Sequence, residues 1–152
     1  MFFYNNVGLI KKKIMERTLS ILKPDITKRN LTGAVNQKIE ANGFRIIAQK
    51  RILMTYNVAG AFYKDHKEKA FFQELCFIMS SAPIVVQILE KENAISSYRT
   101  LMGHTNPEKA EKGTLRKEFG ISIDENSVHG SDSYQNAVRE INYFFSDLEI
   151  VG

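Results

Sequence analysis

Tryptophan is missing from this 152-residue sequence, cysteine occurs once and proline three times. A single cysteine excludes a disulfide framework within the chain and agrees with a reducing, cytoplasmic compartment. Cys76 shares a helical face with Phe72, Leu75 and Met79, so a buried free thiol is expected rather than a reactive one. No apolar run approaches the ~20 residues of a membrane span. The sequence has no G-x-x-x-x-G-K-[ST], no G-x-G-x-x-G and no G-x-S-x-G. Those absences remove the P-loop, the dinucleotide-binding turn and the serine elbow. His66, His104 and His129 stand at no zinc-like spacing from Cys76 or from one another. If such a chain handles phosphate, it does so with side chains dispersed along its length.

What is present suits one ordinary globular domain, with 43% hydrophobic and 25% charged residues. The formal net charge of +4 includes Lys11, Lys12 and Lys13, in a stretch of fourteen residues without an acid. Without that triplet the charge falls to +1, so a general basic surface for nucleic acid is a weak argument. The stretch 1–14 places its apolar residues before its lysines, the reverse of a signal peptide. It is expected to be an extension, disordered or a non-native start, with residues 15–152 forming the domain. A membrane-surface role for Phe2, Phe3, Tyr4 and the lysines is the competing reading.

Along the chain, Thr18 to Lys23 alternates and stops at Pro24-Asp25, which reads as a strand and a turn. Leu31, Val35 and Ile39 mark a helix ended by Asn42-Gly43. Phe44 to Gln49 alternates again as a strand, and Val58–Lys64 and Phe72–Met79 read as short helices. Ile84 to Leu89 is a buried strand and Ala94 to Met102 a helix. Gly103 to Gly113 is a long polar loop, a length that in compact domains usually serves function. Asn126 to His129 is a short strand, and Tyr134 to Phe145 an amphipathic helix with N-cap candidates in Ser131-Asp132-Ser133. The expected class is α+β, a ferredoxin-like βαββαβ with a four-stranded antiparallel sheet, helices on one face and a long loop before the last strand.

His129 precedes the best helix and is followed by Gly130. A glycine there permits backbone geometries that would leave the imidazole projecting, and a helix start close behind favours an anion. Neutral imidazole is a competent phosphoryl acceptor. Spacing alone leaves two readings open: a reactive group, or a loop histidine hydrogen-bonded to backbone.

From Glu16 to about Val151 the chain resembles the nucleoside diphosphate kinases, of bacterial type. The resemblance rests on Glu16-Arg17-Thr18-Leu19, Lys23-Pro24-Asp25, Phe62-Tyr63 with His66, Phe71-Phe72, Glu92-Asn93-Ala94-Ile95 and Arg99-Thr100-Leu101-Met102-Gly103. It continues through Thr105-Asn106-Pro107, Gly113-Thr114-Leu115-Arg116 and the run Asn126 to Ser133 containing His-Gly-Ser-Asp-Ser. It implies transfer of the γ-phosphate of ATP or another nucleoside triphosphate to a nucleoside diphosphate, by a ping-pong route through phosphohistidine at the pros nitrogen of His129. Glu140 would orient the imidazole, with Ser131 in support. Lys23, Arg99, Thr105 and Arg116 match the phosphate-binding set, which suits a transferring group of spread negative charge. Asn126 together with Lys23 matches sugar contacts, Phe71 the base-stacking aromatic and Ile123 its apolar counterpart. Tyr63 matches a tyrosine beside the phosphates, and His66 a nearby bacterial-type histidine. Mg²⁺ would ride on the nucleotide phosphates without a protein cage. A homo-oligomer, tetramer or hexamer, is implied, with neither a membrane nor a specific nucleic acid as partner. Ala70, Ala82, Lys91 and Lys112 depart from the usual pattern, and none is a chemical residue. The alternative is a non-enzymatic nucleotide or RNA binder on the same fold, but Gly43-Phe44-Arg45-Ile46 lacks the aromatics of an RNA-recognition strand.

Overall fold

The computed structural model describes residues 14–152. The expectation for the N-terminal extension falls almost wholly outside the described residues.

Four strands, β1 (Met15–Leu22), β2 (Arg45–Ile52), β3 (Ile84–Glu92) and β4 (Val128–Gly130), form one antiparallel sheet in the order β2-β3-β1-β4. Around it are α1 (Pro24–Lys28), α2 (Thr32–Ala41), α3 (Tyr56–Phe62), α4 (Phe72–Ser80), α5 (Ala94–Met102), α6 (Leu115–Phe119) and α7 (Tyr134–Phe144). Three of these helices start on hydroxyl caps. Thr55, Thr114 and Ser133 accept the N–H of Val58, Lys117 and Asn136, which satisfies a donor that the first helical turn leaves open. Gly43, at φ 81, follows α2 as the sequence suggested.

The ferredoxin-like arrangement stands, but helices cover both faces of the sheet rather than one. Leu19, Ile21, Val86 and Ile88 pack with Ala59, Phe62, Met79 and Ile141 on the side of α3, α4 and α7. Leu22, Val85 and Leu89 pack with Val35, Ile39, Ala94 and Tyr98 on the side of α2 and α5. The polar half of the β1 alternation therefore faces a second core. Thr18, Ser20 and Gln87 are fully buried. The Ser20 hydroxyl lies 2.7 Å from the Tyr98 hydroxyl, and Gln87 donates to Asn36 at 3.0 Å and accepts from Gln49 at 2.7 Å. Buried polar groups held this way cost little.

Other local differences are small. Pro24-Asp25 starts α1 instead of forming an isolated turn, because proline suits the first helical position. The long loop carries a 3-10 turn at Pro107–Lys109, capped by Asn106. Cys76 is a free, fully buried thiol in the core of the α3/α4/α7 side.

Candidate active site

His129 sits in β4 at the sheet edge, directly opposite Ile21 of the central strand. The pairing turns its side chain to the same face as Ile21, toward α3 and α7. There Nε2 lies 2.8 Å from Glu140 Oε2 of α7. Glu140 is 4% exposed, and the same carboxylate oxygen accepts the Ser131 hydroxyl at 2.9 Å. Ser131 in turn accepts the backbone N–H of Leu19 at 3.2 Å, which ties the pair to β1. A carboxylate can only accept, so Nε2 carries the proton and Nδ1 keeps the lone pair. Phe62 and Tyr63 meet the imidazole edge-on, with ring centroids 5.5 and 5.8 Å away.

Gly130 is not needed here for an unusual backbone, since its φ is not positive. It is needed for space. A Cβ there would stand 2.7 Å from both Met102 Cε and Tyr98 Cδ1.

A cavity of about 640 Å³ opens in front of His129. Its wall brings together Lys23, Tyr63, Phe71, Arg99, Thr105, Arg116, Ile123 and Asn126, with Glu140 and His66. Ser131 is 1% exposed and stands behind Glu140, outside the lining. A smaller cavity of about 310 Å³ shares Arg99, Thr105, Arg116 and His129 and adds His104.

The cations are held at a cost. Lys23, 7% exposed, follows the end of β1 and donates from Nζ to Asn126 Oδ1 at 2.7 Å. Burial, with the nearby Arg116 charge, pulls its ammonium down to about 8. Asn126 is fixed by donating to the Ile123 carbonyl at 2.8 Å. Arg116 donates to the carbonyls of Gly103 and Val128 at 2.9 and 3.0 Å, and its buried Nε has no partner among the described residues. Burial also lowers its pKa. The Tyr63 hydroxyl is likewise buried without a partner, and desolvation pushes the phenol well above the ordinary tyrosine range. It stays a neutral donor. At the outer end Phe71 and Ile123 are 49% and 55% exposed, an apolar pair left open to solvent. Cations and unpartnered donors at the inner end and apolar surface at the mouth suit a phosphorylated ligand with a planar group.

Phe62 and Arg139 are among the wall residues to which the sequence reading gave no role. Phe62 follows the helical apolar pattern and so reads as core. Arg139 reads as a surface cation, yet it lines the cavity, bridges to Asp65 at 3.1 Å and lies 4.0 Å from Glu140 Oε1. Its position beside Glu140 in sequence was the available signal.

The comparisons with known proteins agree with this geometry. The family model for nucleoside diphosphate kinase matches residues 16–150. A nucleoside diphosphate kinase of Paracoccus denitrificans is 60% identical over 138 residues, covering 91% of this chain and 99% of that protein. The crystal structure of the Aquifex aeolicus nucleoside diphosphate kinase superposes with a TM-score of 0.88 at 42% identity, covering 91% of this chain and all of that one. That of Halobacterium salinarum, solved in complex with CDP, gives 0.87 at 33% identity over 91% of this chain and 93% of that one. The chain therefore belongs to the nucleoside diphosphate kinase family and is an enzyme that passes the terminal phosphate of a nucleoside triphosphate to a nucleoside diphosphate through a phosphohistidine.

Proposed function

We propose that His129 Nδ1 is the atom phosphorylated, with Glu140 and Ser131 as its support. The observation that carries this is the 2.8 Å contact from Nε2 to a buried carboxylate, which leaves Nδ1 as the ring's nucleophile. In the first half-reaction the Nδ1 lone pair attacks the γ-phosphorus. A P–N bond forms, the bond to the bridging oxygen breaks, and the nucleoside diphosphate leaves. The Nε2 proton stays in place, and the Glu140 carboxylate stabilises the positive charge that the ring acquires. In the second half-reaction a terminal phosphate oxygen of the acceptor diphosphate attacks the phosphorus and the P–N bond breaks.

Lys23, Arg99 and Arg116 neutralise the phosphates, and Thr105 and Tyr63 donate hydroxyls to them. Asn126 and Lys23 hold the sugar. Phe71 and Ile123 hold the base by its faces, so all bases are accepted. The wall sets Lys23, Arg99, Arg116 and Arg139 beside the carboxylates of Asp65, Asp124, Asp132 and Glu140, and among the described residues no three or more metal-ligating side chains cluster. We therefore assign Mg²⁺ to the incoming nucleotide, where it neutralises phosphate charge.

The reading extends to a reducing cytoplasm, on the lone buried thiol of Cys76. It extends also to a homo-oligomer, tetramer or hexamer, which fits exposed apolar side chains such as Leu53, Phe77 and Leu148. Light scattering after size exclusion counts the subunits. Among the described residues no helix is long and apolar enough to cross a membrane.

Incubation with γ-labelled ATP tests the chemistry. The expected product is an acid-labile, alkali-stable label that any nucleoside diphosphate discharges and that His129→Ala abolishes. An unlabelled wild type, or a labelled His129→Ala, overturns the assignment.

A further inference from the structure

Ser127 has φ 74, in the left-handed region that non-glycine residues rarely enter. The Val128 N–H donates to the Asn126 carbonyl at 2.9 Å across it. Asn126, Ser127 and Val128 thus form a γ-turn of the rare positive-φ kind. Such a turn persists only where the surroundings over-determine it.

Here the surroundings are one short segment. The Lys23 N–H donates to the Ser127 carbonyl at 2.9 Å, Lys23 Nζ donates to Asn126 Oδ1 at 2.7 Å, and the Ser127 hydroxyl donates to Asp25 Oδ2 at 2.9 Å. Asp25 is 2% exposed and Ser127 fully buried. Arg29, one turn on, fixes the carboxylate by donating to Oδ2 at 3.0 Å and to the Asp25 carbonyl at 2.8 Å. Pro24 begins α1, so Lys23 stays on the cavity wall while Asp25 turns into the fold. Neither Asp25 nor Ser127 lines the cavity, but Asn126 and His129 on either side of the turn both do.

We infer that Asp25 is a positioning residue for phosphoryl transfer: through the Ser127 hydroxyl it holds the γ-turn that sets Asn126 and His129 together. The inference rests on the roles proposed above for His129, Lys23 and Asn126. It gives the sequence Lys23-Pro24-Asp25 a divided duty, with the lysine on the nucleotide and the aspartate on the turn.

The test is rapid-quench labelling of the full chain with γ-labelled ATP, with steady-state KM values for ADP, each measured well below the variant's Tm. Ser127→Gly removes the hydroxyl while relieving the positive φ, so it is expected to fold with a Tm close to wild type. Its His129 phosphorylation slows on the order of tenfold, because the reacting groups lose their fixed spacing, and KM for ADP rises severalfold. Asp25→Ala behaves the same way. Asp25→Asn, which still offers an oxygen to Ser127, recovers most of the rate. A residue that only supports folding would lower Tm and leave the folded enzyme's rate and KM alone. Wild-type rate and KM in Ser127→Gly overturn the inference, as does an Asp25→Asn no faster than Asp25→Ala. Where Asp25→Ala does not fold, Ser127→Gly and Asp25→Asn decide. Absence of label on the wild type would refute the underlying assignment instead, so the two failures are distinguishable.

Discussion

Glu140 Oε2 takes two hydrogen bonds at once, from His129 Nε2 at 2.8 Å and from the Ser131 hydroxyl at 2.9 Å. Ser131 is itself anchored on the Leu19 amide, so the acceptor is held from the central strand and not only from α7. The imidazole cannot rotate or exchange tautomer without breaking a buried, charge-assisted bond. On the proposed reading Glu140 orients the ring, and its carboxylate chooses the reacting nitrogen.

Replacing Glu140 by Gln keeps the shape and removes the charge. The amide offers a weaker acceptor, and its N–H₂ end would select the wrong tautomer if it turned toward His129. The expected result is a fall of roughly 10²-fold in the rate of His129 phosphorylation, with KM for nucleotides little changed. Single-turnover labelling measures it. A rate within threefold of wild type would count against the orienting role.

Lys23 supplies a prediction in pH. Its ammonium titrates at about 8 in the folded chain, so at pH 9 it is mostly neutral when no nucleotide is bound. An incoming diphosphate restores the charge. Binding of ADP at pH 9 should therefore take up a large fraction of one proton, read by calorimetry in buffers of different ionisation enthalpy. Lys23→Arg, which stays charged at this pH, should abolish the uptake.

The same burial bears on stability. The unfolded lysine titrates near 10.5 and the folded one about 8, so between those values the unfolded chain binds more protons and stability rises with pH. The penalty is fully present below pH 8 and amounts to roughly 3 kcal/mol. Lys23→Met removes it but leaves the buried Asn126 Oδ1 without its donor, at a cost of about 1–3 kcal/mol. The variant should be inactive, yet melt no lower than wild type and up to roughly 8 °C higher at pH 7. The advantage should vanish toward pH 10.5. A lower Tm than wild type at pH 7 would contradict the cost assigned to this site.

Much of this was legible in the sequence, for definite reasons. The period-2 run at Thr18–Leu22, the apolar run at Ile84–Leu89 and the helical spacing of Val35 and Ile39 mark the sheet and a flanking helix, because burial imposes those periods. The second buried face was hidden, because Thr18, Ser20 and Gln87 are polar and only their hydrogen-bond partners reveal that they are inside. The cavity wall was legible through resemblance alone. Lys23, Arg99, Arg116 and Asn126 are far apart in sequence, and no spacing rule brings them together. Gly130 shows the other limit: its need comes from Tyr98 and Met102, which contact order along the chain does not disclose.

Phe71 is half exposed and Ile123 more so, so neither is core, and both line the cavity. Truncating Phe71 to Ala should leave Tm unchanged. It should raise KM for ADP, GDP, CDP and UDP alike by roughly 5–30-fold, since the stacking of any base on an aromatic is worth about 1–3 kcal/mol. An effect confined to one base would mean that the ring reads an edge and not a face.

Gly130 offers a packing test next to the reacting residue. An added Cβ meets the Tyr98 ring and the Met102 methyl, each at 2.7 Å. Met102 can swing aside, but Tyr98 is fully buried and tied to Ser20 at 2.7 Å, so the ring cannot yield cheaply. The strain must then move β4, and His129 with it. Gly130→Ala is expected to destabilise by about 1–3 kcal/mol, as overpacking does in close-packed cores. Urea unfolding measures the loss. Phosphorylation of the folded variant should slow as well, because β4 carries the imidazole away from Glu140. Gly130→Ala combined with Met102→Ala separates the two neighbours. If the double variant regains neither stability nor rate, the Tyr98 ring is the wall that requires a glycine.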